Sequence, residues 1–320
     1  MFSKYKKKIL LSVSFGAVVF LAFSFYADFN NLLEAFSRFN WVWFPLVLLL
    51  SFGNYIIRFF KWQFYLGILN IQLKPGTSFM IFISSFVMSV TPGKMGEVLK
   101  SFLLKEETGT PVSVSAPIIL AERITDFLSI VLLCIAGAIV FNYGQSIIIL
   151  TGAAFIVLVL ILSSKTVSFK IISYFSRIKF IGRHSEKIYA SYNSIFELIK
   201  VKPLIFGLVL SCIAWFFECL GFFIVINVFT GIGGLDTGIL SATFIYAFST
   251  LVGAIAMLPG GLGATEATLT GLLMLLKIPR NISVASTMII RVATLWFAVF
   301  LGLIAVQIYQ RKTHHKIADL

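Results

Sequence analysis

Apolar runs of membrane-spanning length are the feature that most constrains the fold of this chain. The runs at 9–27, 41–60 and 203–229 are close to, or longer than, the roughly 20 apolar residues that a transmembrane helix needs. A helix suits such a run because it satisfies its backbone hydrogen bonds internally, away from water. The whole sequence is 59% hydrophobic and only 12% charged, unlike an ordinary soluble domain. We therefore predict an all-α polytopic membrane protein.

A motif that occurs twice interrupts two of the apolar stretches. It reads TPGKMGE at 91–97 and LPGGLGATE at 258–266, and an arginine follows each proline, Arg123 after 31 residues and Arg291 after 32. Proline lacks an amide donor and glycine tolerates unusual backbone angles, so each Pro-Gly pair is expected to break a helix. A shared break and a shared downstream arginine indicate internal duplication. Repeats with broken apolar segments are typical of membrane transporters, in which the breaks mark the binding site.

The distribution of basic residues distinguishes two topologies. Lys and Arg are enriched in cytoplasmic loops, and the N-terminus, segment 164–202 and the C-terminal tail are basic. The sequence has eight apolar runs, at 9–27, 41–61, 77–104, 112–141, 146–163, 203–229, 238–276 and 283–309. If each run crossed the membrane once, segment 164–202 would lie outside. If 77–104 and 238–276 are instead re-entrant hairpins, six runs cross, all three basic segments lie in the cytoplasm, and the two repeats are inverted. We prefer the second topology, although 238–276 is long enough to cross, so about six to eight spans stay open.

The same reasoning divides the chain into three parts. They are a first membrane repeat at 1–163, a basic amphipathic cytoplasmic segment at 164–202 and a second membrane repeat at 203–320, with both termini on the cytoplasmic side of the inner (cell) membrane. In the middle part, Ile188, Tyr192 and Ile195 follow helical spacing between basic residues. Such a helix either lies on the anionic inner leaflet or packs on the bundle, and both readings stay open. Aromatic residues near the ends of runs are interpreted as interface anchors, namely Trp41, Trp43, Trp62 and Tyr309.

Ionisable side chains inside the apolar runs are the candidates for function. Each costs about 2.5–3.5 kcal/mol to insert at the centre of a membrane helix and therefore needs a partner or a task. Arg123 and Arg291 occupy matching places in the repeats, and we interpret both as anion ligands because guanidinium binds phosphate in a bidentate manner. A half-helix starting near Gly96 or Gly263 would direct free amides to the same anion, unless the glycines only permit close packing at a kink. The predicted substrate-binding residues are Arg58, Gly93, Lys94, Gly96, Arg123, Gly260, Gly261, Gly263 and Arg291.

Carboxylates near these cations are predicted to neutralise them or to carry protons, namely Glu97, Glu122, Asp126 and Glu266. Glu122, Arg123 and Asp126 are spaced to form one connected polar group on a helix, which could equally be a structural ion pair. Glu97 and Glu266 follow the breaks, so each is a helix cap, a partner for an arginine or a proton carrier. Arg58 and Lys61 lie toward the end of their run, where the side chains would alternatively extend to the interface.

Other chemistries find little support in the sequence. Cys134, Cys212 and Cys219 lie in apolar runs and read as small buried hydrophobes, and the three histidines have no ligand-spaced partners, so we expect neither metal nor cofactor. The net charge of +13 is better explained by basic cytoplasmic loops and their contact with anionic lipid than by binding of nucleic acid. The sequence contains no GxxxxGK[ST] phosphate loop, which argues against ATP-driven transport by this chain alone.

At its motifs the sequence resembles the flippase-like membrane family typified by the flippase half of lysylphosphatidylglycerol synthase/flippase proteins. The resemblance rests on PGKMGE at 92–97, ERITD at 122–126, LPGGLG at 258–263 with Glu266, and Arg291, and it covers nearly the whole chain. It implies movement of a charged or glycosylated lipid between leaflets. In lysylphosphatidylglycerol synthases a second membrane section and an aminoacyl-transfer domain follow, whereas this sequence stops at Leu320, so its substrate is not assumed to be lysyl-phosphatidylglycerol. Stand-alone relatives are associated with glycan and polyprenyl-lipid pathways.

We therefore expect a lipid flippase that is not an enzyme and does not hydrolyse ATP. Its substrate would be an anionic or glycosylated lipid, including one linked through polyprenyl phosphate, and its other partners would be membrane lipids. Assembly with a second copy or with glycan-assembly enzymes stays open. Two alternatives belong to other classes: a membrane-embedded lipid-headgroup transferase that uses a carboxylate as its base, and a non-catalytic scaffold of a glycan or lipid assembly complex.

Overall fold

The computed structural model describes residues 14, 18–19, 21–91, 97–138, 144–175, 184–230 and 238–313, and it describes no side chain at 175, 230 or 310–313. Over this part of the chain the regular structure is helical, with no strand, which confirms the predicted all-α class. The helices are α1 (Phe29–Arg38), α2 (Phe44–Ile68), α3 (Pro75–Ser84), α4 (Leu99–Thr108), α5 (Val112–Ala138), α6 (Gln145–Ser163), α7 (Lys165–Phe175), α8 (Ser185–Leu198), α9 (Val201–Thr230), α10 (Ile239–Ile255), α11 (Ala264–Leu275), α12 (Arg280–Arg291) and α13 (Phe297–Thr313).

Four helical segments among the described residues are long and apolar enough to cross a membrane. They are Trp41–Ile68, Gln145–Ser163, Val201–Phe229 and Arg280–Tyr309. Helix α5 has 27 residues, about 40 Å at 1.5 Å per residue, but it carries the charged group at 122–126. Helices α3 and α10 are shorter apolar helices. The chain is thus a multi-pass helical membrane protein, while the number of spans stays a prediction.

The second Pro-Gly motif breaks the helical run as predicted. Helix α10 ends at Ile255, a 3₁₀ turn follows at Pro259–Gly261, and α11 begins at Ala264. Gly260 and Gly261 have φ of 62° and 69°, a region that favours glycine because it carries no Cβ. Helices α10 and α11 pack against each other, and a Cβ at Gly253 would collide with Oγ1 of Thr265. The break therefore forms a tight helical hairpin.

The first motif also separates two helices, although part of it lies outside the described residues. Helix α3 continues as a 3₁₀ turn at Ser85–Met88, and α4 starts at Leu99. Pro92, Gly93, Lys94 and Gly96 fall between the described ranges. The described chain on both sides agrees with the predicted interruption.

The two halves pack reciprocally. The short helix α10 of the second half lies against the long helix α5 of the first, and the short helix α3 of the first lies against α13 of the second. Each contact requires a glycine at the point where the two segments touch. A Cβ at Gly137 would lie 2.6 Å from Cβ of Phe244, and a Cβ at Gly302 would collide with the backbone nitrogen of Val87. Small residues allow such close helix approach in membranes. Such an exchange is expected of a duplicated chain, but the internal duplication and the inversion of its halves both stay predictions.

The middle segment folds onto the bundle at α8. Tyr192, Ile195 and Ile199 are buried, Ser191 Oγ donates to the carbonyl of Ser113 at 2.8 Å, and the Tyr192 hydroxyl donates to the carbonyl of Leu162 at 3.1 Å. Helix α8 therefore packs on the bundle, while its contact with the inner leaflet stays a prediction. Helix α7 is more peripheral.

Two of the four predicted interface anchors are wrong. Trp41 and Trp43 are 50% and 46% exposed, as an anchor should be. Trp62 is fully buried and donates to Ser78 Oγ at 3.1 Å, and buried Tyr309 donates to Glu107 Oε1 at 2.8 Å. Nearness to the end of an apolar run did not reveal that both side chains face neighbouring helices.

Candidate functional site

Asp126 of α5 is the centre of a buried network in the first half. Lys61 Nζ lies 2.6 Å from its Oδ1, and Ser211 Oγ donates to the same oxygen at 3.0 Å. Lys61 is 1% exposed, so the expectation that it extends to the interface is wrong. Burying an ammonium costs much less when a carboxylate faces it, which explains why α2 turns this lysine inward.

Two arginines surround the same carboxylates. Arg123 Nη2 lies 3.0 Å from Glu97 Oε2 and 3.2 Å from Asp126 Oδ2. Arg58 Nη2 lies 3.9 Å from Glu97 and 3.8 Å from Asp126. Arg58 is only 8% exposed, so its alternative reading as an interfacial side chain is also wrong.

Glu122 does not join this network directly, in contrast to the predicted connected group. It pairs with Lys100 of α4, and Lys100 Nζ also lies 4.6 Å from the centre of the Trp62 ring. Glu122 and Asp126 are one helical turn apart, yet they pair with cations on different helices. Glu122 pairs with Lys100 of α4 and Asp126 with Lys61 of α2. Lys100 was missed as a site residue, although its place inside the apolar run 77–104 is a signal that could have identified it.

The second half contains an equivalent pair. Arg291 Nε donates to Glu266 Oε1 at 2.6 Å, and Arg291 Nη2 donates to the carbonyl oxygen of Gly260 at 2.7 Å. Glu266 Oε2 accepts the amide of Gly263 at 2.6 Å. Glu266 is therefore both a helix cap and the partner of an arginine, two of the three roles expected for it.

The turn uses its own amides, which corrects part of the predicted anion site. Gly261 donates to the carbonyl of Leu258 at 2.9 Å and Leu262 to that of Pro259 at 3.1 Å, while Gly263 donates to Glu266. These amides are not directed at a ligand in this structure. A carboxylate already occupies the start of α11, where the helix dipole favours negative charge.

The pairs Glu97–Arg123 and Glu266–Arg291 span 26 and 25 residues and join equivalent elements. Each links the region after a break to the long helix that follows. The two arginines differ in their hydrogen bonds. Arg291 Nη2 donates to the carbonyl oxygen of Gly260 in the turn. The buried Nε of Arg123 donates no hydrogen bond within the described part of the chain. The Arg123 side chain is also more exposed, at 17% against 9%. Of the two arginines, Arg123 is thus the more exposed one, and it is not bonded to the backbone of a turn.

Both arginines line one cavity of about 370 Å³ between the halves. Of the predicted site residues, Arg58, Arg123, Asp126, Gly260, Gly261 and Arg291 line it. Gly263, Glu97, Glu122 and Glu266 lie outside its lining, and Gly93, Lys94 and Gly96 lie outside the described residues. Its apolar wall comes mainly from α5, α6 and the end of the α10 region, with Leu120, Phe127, Ile130, Phe155, Leu158, Met257 and Leu258.

Four further lining residues had no site role assigned from the sequence, namely Tyr55, Glu218, Tyr246 and Thr294. Glu218 of α9 accepts a 2.6 Å hydrogen bond from the Tyr246 hydroxyl, and the Tyr55 hydroxyl donates to the carbonyl of Thr294 at 2.6 Å. Thr294 belongs to a π-helical turn, Val292–Trp296, that follows Arg291 directly. Such single π turns are frequent at functional sites. Among the described residues, no cluster of His, Cys, Asp and Glu has a metal-binding arrangement.

Fold and site together define a multi-pass α-helical membrane protein with a cavity that is lined by charged and apolar residues from both halves of the chain. The sequence profile of the family described as "Lysylphosphatidylglycerol synthase TM region" matches residues 9–302, and the chain belongs to this family. Among similar proteins, a UPF0104 membrane protein of Methanothermobacter thermautotrophicus is 25% identical over 96% of this chain and 95% of its own length. UPF0104 membrane proteins of Methanocaldococcus jannaschii and Pyrococcus horikoshii are 27% and 26% identical over 71% and 92% of this chain, in each case over 95% of the relative.

Proposed function

We propose that this chain is a lipid flippase that moves an anionic or glycosylated lipid between leaflets without ATP hydrolysis. The observation that carries the proposal is a cavity whose lining combines three arginines with many apolar side chains. Arg58, Arg123 and Arg291 supply the guanidinium groups. Headgroup phosphate has the charge and geometry that guanidinium groups recognise.

The cavity volume suits a lipid headgroup. At about 370 Å³ it falls within the roughly 300–1,000 Å³ typical of small-molecule sites. Arg123 is the primary ligand in this proposal, because its side chain lines the cavity and is more exposed than that of Arg291. Arg291 acts mainly by holding the turn at Gly260 beside the headgroup.

The apolar wall supports the lipid assignment over a soluble anion. Phe127 of α5 stacks on Phe155 of α6, with ring centroids 4.4 Å apart, and both rings line the cavity. Leu120, on the same side, is 42% exposed. An acyl or prenyl chain would stay against this surface and the surrounding lipid while the headgroup enters. The substrate class includes lipids linked through polyprenyl phosphate.

We further propose that the protein lies in the cell (inner) membrane with both termini in the cytoplasm, and that it has no catalytic activity of its own. Positive charge concentrated in segment 164–202 supports this orientation. Helix α8 of that segment packs on α5 and α6, so the segment is held at one end of the bundle. Anionic membrane lipids are its expected surroundings.

Reconstitution tests the function. Purified protein in phosphatidylcholine vesicles is given a small set of lipids with a fluorescent acyl label: phosphatidylglycerol, phosphatidylethanolamine and a polyprenyl phosphate. Quenching from outside by dithionite reports how much label moves across the bilayer, and mass spectrometry of the recovered lipid reports any chemical change. Protein-dependent movement of an unmodified anionic lipid is the expected result. A changed lipid mass would favour the transferase, and neither movement nor change would refute the flippase and favour a scaffold.

A further inference from the structure

We propose that helix α7 lies at the boundary between membrane and water, and that its groove with α8 binds the phosphate of an anionic phospholipid. This site lies outside the cavity of the proposed flippase and requires no transport. Helix α6 is long and apolar enough to cross a membrane, and it ends at Ser163. Helix α7 begins at Lys165, after Ser164 in an extended conformation. A crossing by α6 therefore places α7 at the membrane surface.

Contacts with α6 and α8 hold helix α7 in position. The buried Ser168 Oγ donates to the carbonyl oxygen of Ile161 in α6 at 2.8 Å. On α8, the ring centroids of Tyr189 and Tyr192 lie 5.5 Å and 5.1 Å from that of Phe169, both in edge-to-face arrangements. Helix α8 itself packs on α5. Helix α7 is thus attached to the bundle along one face, while most of its other side chains are exposed.

The exposed surface of α7 carries two neighbouring stripes of different chemistry. Each has the helical spacing i, i+4, i+7, and they comprise Thr166, Lys170 and Ser173 in the polar stripe and Val167, Ile171 and Tyr174 in the apolar stripe. The three apolar-stripe side chains are between 41% and 66% exposed. Exposed apolar surface beside basic residues is typical of a helix that lies in the interface of a membrane, where lipid covers it.

The polar stripe lines an open groove between α7 and α8. Phe169, Tyr174 and Tyr189 complete the lining, and Lys170 supplies its positive charge. Among the described residues, the lining contains no carboxylate that would repel an anion. Segment 164–202 as a whole carries eight Lys and Arg residues against two Glu. The charge of the groove and of its surroundings therefore complements an anionic headgroup.

An anionic phospholipid fits both stripes at once. The Lys170 ammonium and the hydroxyls of Thr166 and Ser173 are suitable donors to phosphate oxygens. The apolar stripe beside them would contact the upper part of the acyl chains. Free phosphate would leave that stripe uncovered, and a zwitterionic lipid would bring no net negative charge to the basic segment. The geometry therefore favours a lipid such as phosphatidylglycerol over both.

Site-directed fluorescence quenching tests the headgroup site. In a background without the three native cysteines, Val167→Cys carries a bimane label on the apolar stripe. The protein is placed in phosphatidylcholine nanodiscs that contain a minor fraction of phosphatidylglycerol. Either this phosphatidylglycerol or an equal amount of phosphatidylcholine carries bromine on its acyl chains. Brominated phosphatidylglycerol should quench the label more strongly, because the groove concentrates it beside α7.

Two charge variants separate a specific site from general surface charge. Lys170→Gln should lower the preference for phosphatidylglycerol about fivefold, as expected for one basic side chain near an anionic surface. Lys187→Gln is the matched control, because Lys187 is exposed on α8, carries the same charge and does not line the groove. This variant should keep the preference. Inorganic phosphate added at constant ionic strength should also leave it unchanged.

Four outcomes would overturn the proposal. Absence of quenching by either brominated lipid would show that α7 does not lie at the membrane. Equal quenching by the two lipids would show that the groove does not select an anionic headgroup. An equal loss of preference in Lys170→Gln and Lys187→Gln would reduce the effect to general surface charge. Loss of the preference on addition of inorganic phosphate would identify a site for the free anion instead of a lipid.

Discussion

Arg291 donates a 2.7 Å hydrogen bond to the carbonyl oxygen of Gly260, so the arginine of the last long helix fastens the turn of the preceding hairpin. The same guanidinium holds Glu266, which in turn caps α11 through the amide of Gly263. One side chain therefore connects the turn, helix α11 and the long helical segment Arg280–Tyr309. Arg123, at the matching place in the first half, holds Glu97 and Asp126 and faces the same cavity.

This difference predicts a stability defect for Arg291→Gln. The change would leave Glu266 as a buried carboxylate without its cation and remove the partner of the Gly260 carbonyl. Breaking one side of a buried pair costs roughly 3–5 kcal/mol, so we expect a clearly lowered melting temperature in detergent. The double variant Arg291→Gln with Glu266→Gln should recover part of the loss because no charge is then left unpaired. A melting temperature like that of the wild type in Arg291→Gln would contradict the fastening role.

Arg123→Gln should show the opposite pattern, with transport lost and stability nearly retained. Asp126 keeps Lys61 at 2.6 Å, and Arg58 stays close to both Glu97 and Asp126, so neither carboxylate is left without a cation. The headgroup, however, loses its bidentate donor. Arg123→Lys should restore only part of the rate, since an ammonium cannot reproduce the guanidinium fork. Flipping rate and melting temperature are measured side by side; full flipping by Arg123→Gln would refute the anion site.

The helices and the second break could be predicted from the sequence because they depend on residues that are close together along the chain. The apolar runs predicted helices, and the break at Pro259-Gly260 was predicted because proline and glycine act locally on the backbone. Matching positions in the two motifs identified Arg123 and Arg291, which do line one cavity. The pairing of each arginine with the glutamate after its break was one of the readings left open for Glu97 and Glu266.

Contacts between distant helices were not accessible in the same way. Lys61 meets Asp126, Lys100 meets Glu122 and Tyr246 meets Glu218 across 65, 22 and 28 residues. No spacing rule connects such positions, because their distance depends on how whole helices cross. The position of Lys61 in its run suggested an interfacial side chain, yet Asp126 on α5 holds it inside. Glu218 was a candidate from the sequence as an ionisable side chain in an apolar run, but no spacing indicated Tyr246 as its partner.

The reciprocal packing of the halves predicts a specific glycine requirement. Gly302→Ala should destabilise the protein by about 1–3 kcal/mol, because the new methyl group would collide with the backbone at Val87, where α13 crosses the 3₁₀ turn after α3. Gly271→Ala is the matched control: it lies in α11 with nothing within 4 Å of its Cβ position. There the same change should stabilise by about 0.5–1 kcal/mol through helix propensity. Equal melting temperatures for the two variants would show that α3 and α13 do not pack this closely.

The hairpins predict which side of the membrane each short loop faces. If α3–α4 and α10–α11 each enter and leave on one side, position 105, at the end of α4, is cytoplasmic and position 280, at the start of α12, is external. The close packing of α10 on α11 around Gly253 and Thr265 supports a hairpin shape for the second segment. A segment that crossed fully would instead place its two ends on opposite sides.

Single-cysteine labelling with a membrane-impermeant maleimide tests this arrangement in intact cells. Cys134, Cys212 and Cys219 are first replaced by alanine or serine, and cysteine is then placed at Lys105 or Arg280, both of which are exposed. Position 280 should be labelled from outside, whereas position 105 should be labelled only after permeabilisation. A cysteine at exposed Lys187 in α8 serves as the cytoplasmic reference, because the basic middle segment is expected inside. Labelling of position 105 from outside, with position 280 protected, would rule out same-side hairpins and the inverted repeat built on them.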